Sequence, residues 1–237
     1  MRVRYCLPMS ELTTYRIPGH VLADLHEAGS VKQLGAGVTL YHQGQEPHTV
    51  YLVLAGVMKL VVVSRSGSQS VAALRGVGNI IGQHGALDDR PRPAGAEALV
   101  DSEVLGIATP LFQGLLRTHP VLSAVLLRGL SRQMREAIRH IVELSDEHAS
   151  CMIARRLLQL AVDPLLAPLR FDERDPIVVQ SPMSQRDLAA WAGISERSAG
   201  TALQQFRNEG LIATSRLRVE FLDLDGLRAH AGLAARA

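Results

Sequence analysis

The 237-residue sequence is poor in cysteine: it has only two, Cys6 and Cys151, far apart and in no CxxC pair. That argues against a disulfide framework and against a four-cysteine metal or iron–sulfur site, and it points to a reducing compartment. A surplus of one charge is also missing. The 25 Lys and Arg against 23 Asp and Glu leave a net charge of +2, so any contact with nucleic acid must come from a local basic patch. Charged or polar residues interrupt every apolar run before it reaches membrane-spanning length. The first residues, MRVRYCLPMSEL, are too polar for a secretory signal. These absences predict a soluble, cytoplasmic chain with no membrane association. The nine histidines show no HxH, HxxxH or HExxH spacing, and no nucleophile stands near a base, so neither a metal-dependent enzyme nor any other enzyme is expected.

What is present is a chain that is 47% apolar and changes pattern twice. From Val31 to Ile107 short β-branched runs alternate with Gly- or Pro-bearing turns. TVYLVLAG and VMKLVVVS meet at Ala55-Gly56, and RSGSQS is a turn before VAALRGVGNIIG. Short strands punctuated this way indicate a sandwich, jelly roll or barrel. From Leu111 to Ser145 the pattern becomes helical. Leu127, Leu130, Met134, Ala137, Ile141 and Leu144 follow the spacing 3-4-3-4-3, and Arg128, Arg132, Arg135, Glu136, Arg139 and Glu143 form a charged face between them. Periodicity alone fits two readings equally: a dimer helix, or an amphipathic helix packed on its own β-domain. A second helix, ASCMIARRLLQLA, precedes a stretch from Val162 to Met183 with four prolines, read as a linker holding one short strand, IVVQ.

The C-terminal part carries the clearest local signals. Ser184 is placed to cap a helix beginning at Gln185, with Asp187 closing a shortened capping box. Leu188, Ala189 and Ala192 form its inward face, Gly193 ends it, and Ile194 plugs the corner. Ser195 caps a second helix whose apolar face is Ala199, Ala202, Leu203 and Phe206, closed by Gly210. This is the pattern of a helix-turn-helix, whose second helix enters the major groove of duplex DNA. Arg197 and Thr201 stand one turn apart on its outer face, with Glu196, Ser198, Gln204 and Gln205 nearby. Arg suits guanine, Glu a cytosine amine and Gln adenine. Arg186 is placed for a phosphate. LIATSRLRVEFLDLD reads as a two-stranded wing with Arg216 and Arg218 on one side.

Four segments in order resemble the cyclic-AMP receptor protein and fumarate-nitrate regulator family of bacterial transcription factors, over about residues 31 to 225. GVTLYHQGQEPHTVYLVLAGVMKLVVV is similar to the first β-roll strands, and IIGQHGALDDRPRPAGAEALVDSEVLGI to the phosphate-binding cassette. LSRQMREAIRHIVEL resembles the dimer helix, and MSQRDLAAWAGISERSAGTALQQFRNEGLI the winged helix-turn-helix. The resemblance implies an α+β fold in three parts: an N-terminal arm and β-roll (a double-stranded jelly roll) over 1–110, a dimerisation helix over 111–147 and a winged helix-turn-helix over 148–237. It resolves the helical seam in favour of a homodimer and implies a near-palindromic DNA site, with RNA polymerase as a further candidate partner. The DNA-facing set is Ser184, Arg186, Ser195, Glu196, Arg197, Ser198, Thr201, Gln205, Arg216 and Arg218.

The family's nucleotide site maps onto Gly82, Gln83, His84, Arg92, Pro93 and Ala94, with Ile141 and Val142 from the dimer helix. Here the sequence departs from the family. Gln83 stands where a glutamate holds the ribose hydroxyl, and it is a weaker acceptor. Pro93 replaces a hydroxyl donor and removes a backbone N–H. Ile141 and Val142 are apolar where a Thr or Ser meets the purine. A pocket degenerate for cyclic AMP is therefore expected, with no cofactor required. The protein is expected either to act without a ligand or to answer to another one. A haem sensor is disfavoured because only His84 and Cys6 offer axial ligands. A β-roll sensing module acting through protein partners is the remaining alternative. The recognition helix departs as well: the family's SRETVGR becomes SERSAGT, so the usual half-site is not assumed.

Overall fold

The structure, a computed structural model, describes residues 17–233 except 66, 147, 173–175 and 181–182, and gives no side-chain account of 139–146, 164–165, 171–172 and 180. Cys6 and the side chains of Arg139, Ile141, Val142, Glu143 and Leu144 lie outside the described residues.

Helix α1 (Gly19–Ala28) leads into eight strands: β1 (Gly29–Leu34), β2 (Thr39–Tyr41), β3 (Thr49–Ala55), β4 (Met58–Val63), β5 (Gln69–Arg75), β6 (Ile80–Ile81), β7 (Gly95–Ala98) and β8 (Ser102–Ala108). A short helix, α2 (Gln83–Asp88), interrupts them after β6. They form two antiparallel four-stranded sheets, ordered β1-β8-β3-β6 and β2-β7-β4-β5. Period-two alternation explains why both sheets pack on two sides. On β3, Val53 joins the core between the sheets, with Leu34, Leu40, Met58, Ile81 and Val104. Its neighbours Val50 and Leu52 point the other way, to α1 and the helices that follow.

Those helices are α3 (Thr109–Thr118) and α4 (Pro120–Asp146). The sequence suggested one helical regime from Leu111. The chain instead breaks at His119 (φ −121°, ψ 85°), because Pro120 disfavours helical backbone before it. Phe112 of α3 is buried with Val21, Leu25 and Ile107, so the β-roll unit continues through α3 and does not end at residue 110. Leu122, Val125 and Leu126 of α4 are buried against the same protomer. Leu130 is partly buried against that core, whereas Leu127, Met134 and Ile138 are 64%, 63% and 50% exposed and Ala137 is also exposed. The expected seam is thus shared between two directions.

The C-terminal unit comprises α5 (Ala149–Val162), a 3-10 turn (Pro164–Leu169), β9 (Arg170–Asp172), β10 (Ile177–Gln180), α6 (Gln185–Ala192), α7 (Glu196–Asn208), β11 (Ile212–Ser215), β12 (Arg218–Phe221) and α8 (Leu224–His230). Its sheet runs β11-β12-β10-β9, antiparallel throughout. The expected linker is therefore structural. Leu166, Leu169, Val178 and Val179 are buried, and β10 pairs with the wing strand β12. Ile153, Leu157 and Leu160 of α5 belong to one core with α6, α7 and α8. Phe206 of α7 is wholly buried in that core. Phe206→Ala is expected to lower the unfolding free energy of the C-terminal unit by about 3–5 kcal/mol, read from urea denaturation.

Candidate functional site

Local capping fixes the two helices of the C-terminal motif. The Ser184 hydroxyl accepts from the Asp187 N–H at 3.1 Å, and Asp187 Oδ2 accepts from the Ser184 N–H at 3.1 Å, a reciprocal box that closes α6. Gly193 takes φ 74° at the other end, a conformation that suits a residue without Cβ. Ser195 then caps α7 by accepting from the Ser198 N–H at 3.1 Å. The two serine hydroxyls also share a hydrogen bond of 2.8 Å, so Ser198 is engaged with the cap.

The apolar face of α7 is buried at Ala199, Ala202, Leu203 and Phe206, and α6 contributes Leu188, Ala189, Trp191 and Ala192. The opposite face of α7 presents Glu196, Arg197, Thr201, Gln204 and Gln205, all exposed. Thr201 Oγ1 donates to the Arg197 carbonyl at 3.1 Å, and Gln205 Nε2 donates to Glu209 at 2.9 Å. Ser184, Arg186 and Ser195 are exposed at the adjoining amino ends of the helices. At Gly200 an added Cβ would lie 2.9 Å from Gln185 Nε2, which itself donates to the Glu196 carbonyl at 3.2 Å. In the wing, Arg218 lies on β12 opposite Ser215, but Arg216 sits in the two-residue turn, outside the strand alternation; both are exposed. Its turn partner Leu217 is exposed at φ 57°. Arg207 ties the wing to α7 by donating to Thr214 Oγ1 at 3.1 Å and to Gln204 Oε1 at 2.7 Å. No signal of local sequence marked that brace.

The β-roll pocket gathers Gly82, Gln83, His84, Arg92, Pro93 and Ala94, together with Tyr41 and Arg75. Arg92 is 3% exposed. Its guanidinium donates to the Thr49 carbonyl at 2.5 Å and the Gly82 carbonyl at 3.3 Å, and it stacks 3.9 Å over the Tyr41 ring. Burial pushes the Tyr41 hydroxyl up to about 12, against the opposing charge of Arg92. Gln83 is buried at the start of α2, while His84 and Pro93 are exposed. Gln83 Oε1 and Arg92 Nε are buried without a hydrogen-bond partner. Arg75, expected nowhere in the sequence reading, donates to the Leu74 carbonyl at 3.0 Å and pairs with Glu136 of α4 at 3.4 Å. Arg132 holds the same Glu136 at 3.0 Å. Glu136 of the supposed outer face of α4 therefore turns to the sheet, while Gln133 of the same helix lines the pocket. The cavity encloses ≈ 40 Å³, well below the ~300 Å³ at which small-molecule sites begin.

Among the described residues no cluster of side chains is arranged to hold a metal, and no helix is long and apolar enough to cross a membrane.

Burial alone would raise the Asp187 carboxyl, but hydrogen bonds from Ser184 and the charge of Lys59 outweigh it and hold the group below the usual carboxylate range. The stability this contributes is complete above that range and is lost as pH falls through the lowered value of the folded state. Asp187→Asn is expected to lower the urea midpoint at neutral pH and to flatten its decline as pH falls through and below the ordinary carboxylate range.

Comparison with known proteins follows the same division. Residues 31–119 match the cyclic nucleotide-binding domain, and residues 153–230 match the Crp-like helix-turn-helix domain. The chain is 31% identical over 176 residues to the cyclic AMP receptor protein of Thermus thermophilus, covering 74% of this chain and 76% of that protein. It is 31% identical over 209 residues to the transcriptional regulator LdrP of the same species, covering 87% of this chain and all of that one. The crystal structure of a CRP-family transcriptional regulator from Thermus thermophilus superposes with a TM-score of 0.71 at 30% identity, over 85% of this chain and 96% of that one.

Proposed function

The chain belongs to the cyclic-AMP receptor protein and fumarate-nitrate regulator (CRP/FNR) family of transcription regulators, and from that membership we propose that it works as a homodimer reading a near-palindromic duplex without requiring cyclic AMP. The observation that carries the DNA reading is the division of α7: one face wholly buried, the other a row of exposed Glu196, Arg197, Thr201, Gln204 and Gln205. Arg197 takes a guanine edge, worth ~1–3 kcal/mol of discrimination, and Gln205 and Glu196 extend the row. Ser184, Arg186 and Ser195 at the helix ends, with Arg216 and Arg218 on the wing, take phosphates. Ser198 acts through the cap it shares with Ser195.

The dimer rests on the exposed stripe Leu127, Met134, Ala137 and Ile138, an apolar helix face that a second copy covers. At a promoter the dimer presents itself to RNA polymerase.

Independence from cyclic AMP is supported by Arg92. The guanidinium expected to meet a cyclic phosphate is already engaged by two carbonyls and Tyr41. A nucleotide must displace those contacts, and Gln83 returns less to it than a glutamate would. A second reading is favoured by one specific feature. Gln83 Oε1 and Arg92 Nε, both buried without partners, suit a small effector bearing a donor beside an acceptor. Haem is disfavoured, since His84 is exposed at the pocket's edge.

Selection of bound duplexes from a random pool, with and without cyclic AMP, tests the proposal. The same palindrome is expected in both arms; enrichment only with the nucleotide would overturn independence, and enrichment in neither arm would overturn action without an effector, leaving the second reading or a helix-turn-helix that does not read DNA. Met134→Glu, which puts a charge in the exposed stripe, is expected to shift the dimer towards monomer in sedimentation and to weaken binding to the full palindrome.

A further inference from the structure

The sheet β2-β7-β4-β5 is buried on both faces, by two different domains. Its inner face carries Met58, Ala96 and Ala98 into the β-roll core, and Leu60 and Arg75 into the pocket. Its outer face carries Val57, Val71 and Leu74, which with Leu99 just beyond β7 are at most 5% exposed and belong to one core with Leu188, Trp191 and the rest of the C-terminal unit. Helix α6 lies against β5 across this boundary.

In the middle of that apolar contact stands a lysine. The antiparallel register sets Lys59 of β4 opposite Leu74 of β5 and Glu97 of β7, so all three share the outer face. Lys59 is 8% exposed. Its ammonium lies 3.1 Å from Glu97 and 3.2 Å from Asp187 Oδ1. The other oxygen of Asp187 closes the capping box on Ser184. One carboxylate therefore both starts the first helix of the DNA-reading motif and fastens it to the β-roll. A buried ion pair contributes little net stability, because desolvation offsets the attraction. Its effect is on geometry: two apolar faces tolerate sliding, whereas an ammonium held between two carboxylates fixes one register. The exposed row of α7 is not covered in this docked arrangement. Docking and DNA reading are therefore compatible.

We propose that Lys59 is a positioning residue for DNA binding: by fastening Asp187 to the β-roll it presets the orientation of the helix-turn-helix, so the reading unit is held in place before DNA arrives. This rests on the DNA-reading role of α7 given above. Two recognition helices in a dimer must meet major grooves about 34 Å apart, and a unit free to rotate on its tether loses affinity to the ordering it undergoes on binding.

The test compares full-length variants on the duplex selected with the wild-type chain. Lys59→Met is expected to bind roughly tenfold more weakly, the scale of coupling between contacting residues. Asp187→Asn removes a negative charge and would tighten binding if only net charge mattered; it is expected to weaken binding too, and the double variant to be no weaker than the single ones. Lys59→Arg restores binding, and Glu97→Gln, which leaves Lys59 one carboxylate, gives a smaller loss in the same direction. Circular dichroism confirms folding for each variant; should Lys59→Met not fold, the Asp187→Asn and Glu97→Gln pair carries the comparison. The slope of affinity against salt stays unchanged throughout, because no phosphate contact is removed. Wild-type affinity in the folded Lys59→Met and Asp187→Asn variants would overturn the proposal, as would tighter binding by Asp187→Asn. A salt slope reduced by about one in Lys59→Met would also overturn it, since Lys59 would then touch DNA itself. Failure of the wild-type chain to select any duplex would instead overturn the DNA reading beneath it.

Discussion

A β-sheet covered on both faces along part of β4 and β5 is the constraint on which the arrangement of this protein depends. Antiparallel sheets commonly leave one side to water. Here β4 and β5 alternate between two cores, so that neighbouring residues serve different domains: Leu74 meets α6, and Arg75 meets Glu136 of α4. Each of Val57, Val71, Leu74 and Leu99 gains about 1.5–3 kcal/mol from leaving water, before the entropy of holding the domains together is set against it. The pocket and the helix-turn-helix unit are thus separated by one layer of backbone.

The two polar clusters on either side of that layer are built differently. In the pocket, Arg92 is engaged by main-chain carbonyls and an aromatic ring, groups that carry no counter-charge. At the docking face, Lys59 has two carboxylates, and burial, which would push its ammonium down, is outweighed so that its pKa is raised. The first cluster still has buried atoms without partners, whereas the second closes on itself. The two buried cations therefore lie on opposite faces of one sheet, Arg92 among neutral groups and Lys59 between carboxylates.

Much of the C-terminal motif was legible from sequence because its signals are local. Ser184 with Asp187, Gly193 and Ser195 each fix a helix end within four residues, and the structure places all of them as caps. The strands on either side of Ala55-Gly56 were legible for the same reason: β-branched runs separated by a glycine. The features that escaped depend on partners distant in sequence. Strand β10 was legible as the short run IVVQ, but its pairing with the wing strand β12, which draws the expected linker into the C-terminal sheet, was not. The break before Pro120 was hidden by helical periodicity on both sides. Leu130 fits an intermolecular seam by spacing, yet it packs on its own β-roll, because spacing does not say which surface a helix meets. Arg75, Glu136 and Lys59 read as ordinary solvated charges until the sheet brings their partners to them.

Leu217 has a consequence for how this protein can be changed. It occupies a left-handed turn position at the tip of the wing, where glycine or asparagine rests without strain, and its side chain is 49% exposed, so burial returns little. A leucine so placed costs on the order of 1–2 kcal/mol. A designer seeking a hardier protein would begin at this turn, where strain is relieved without disturbing any core.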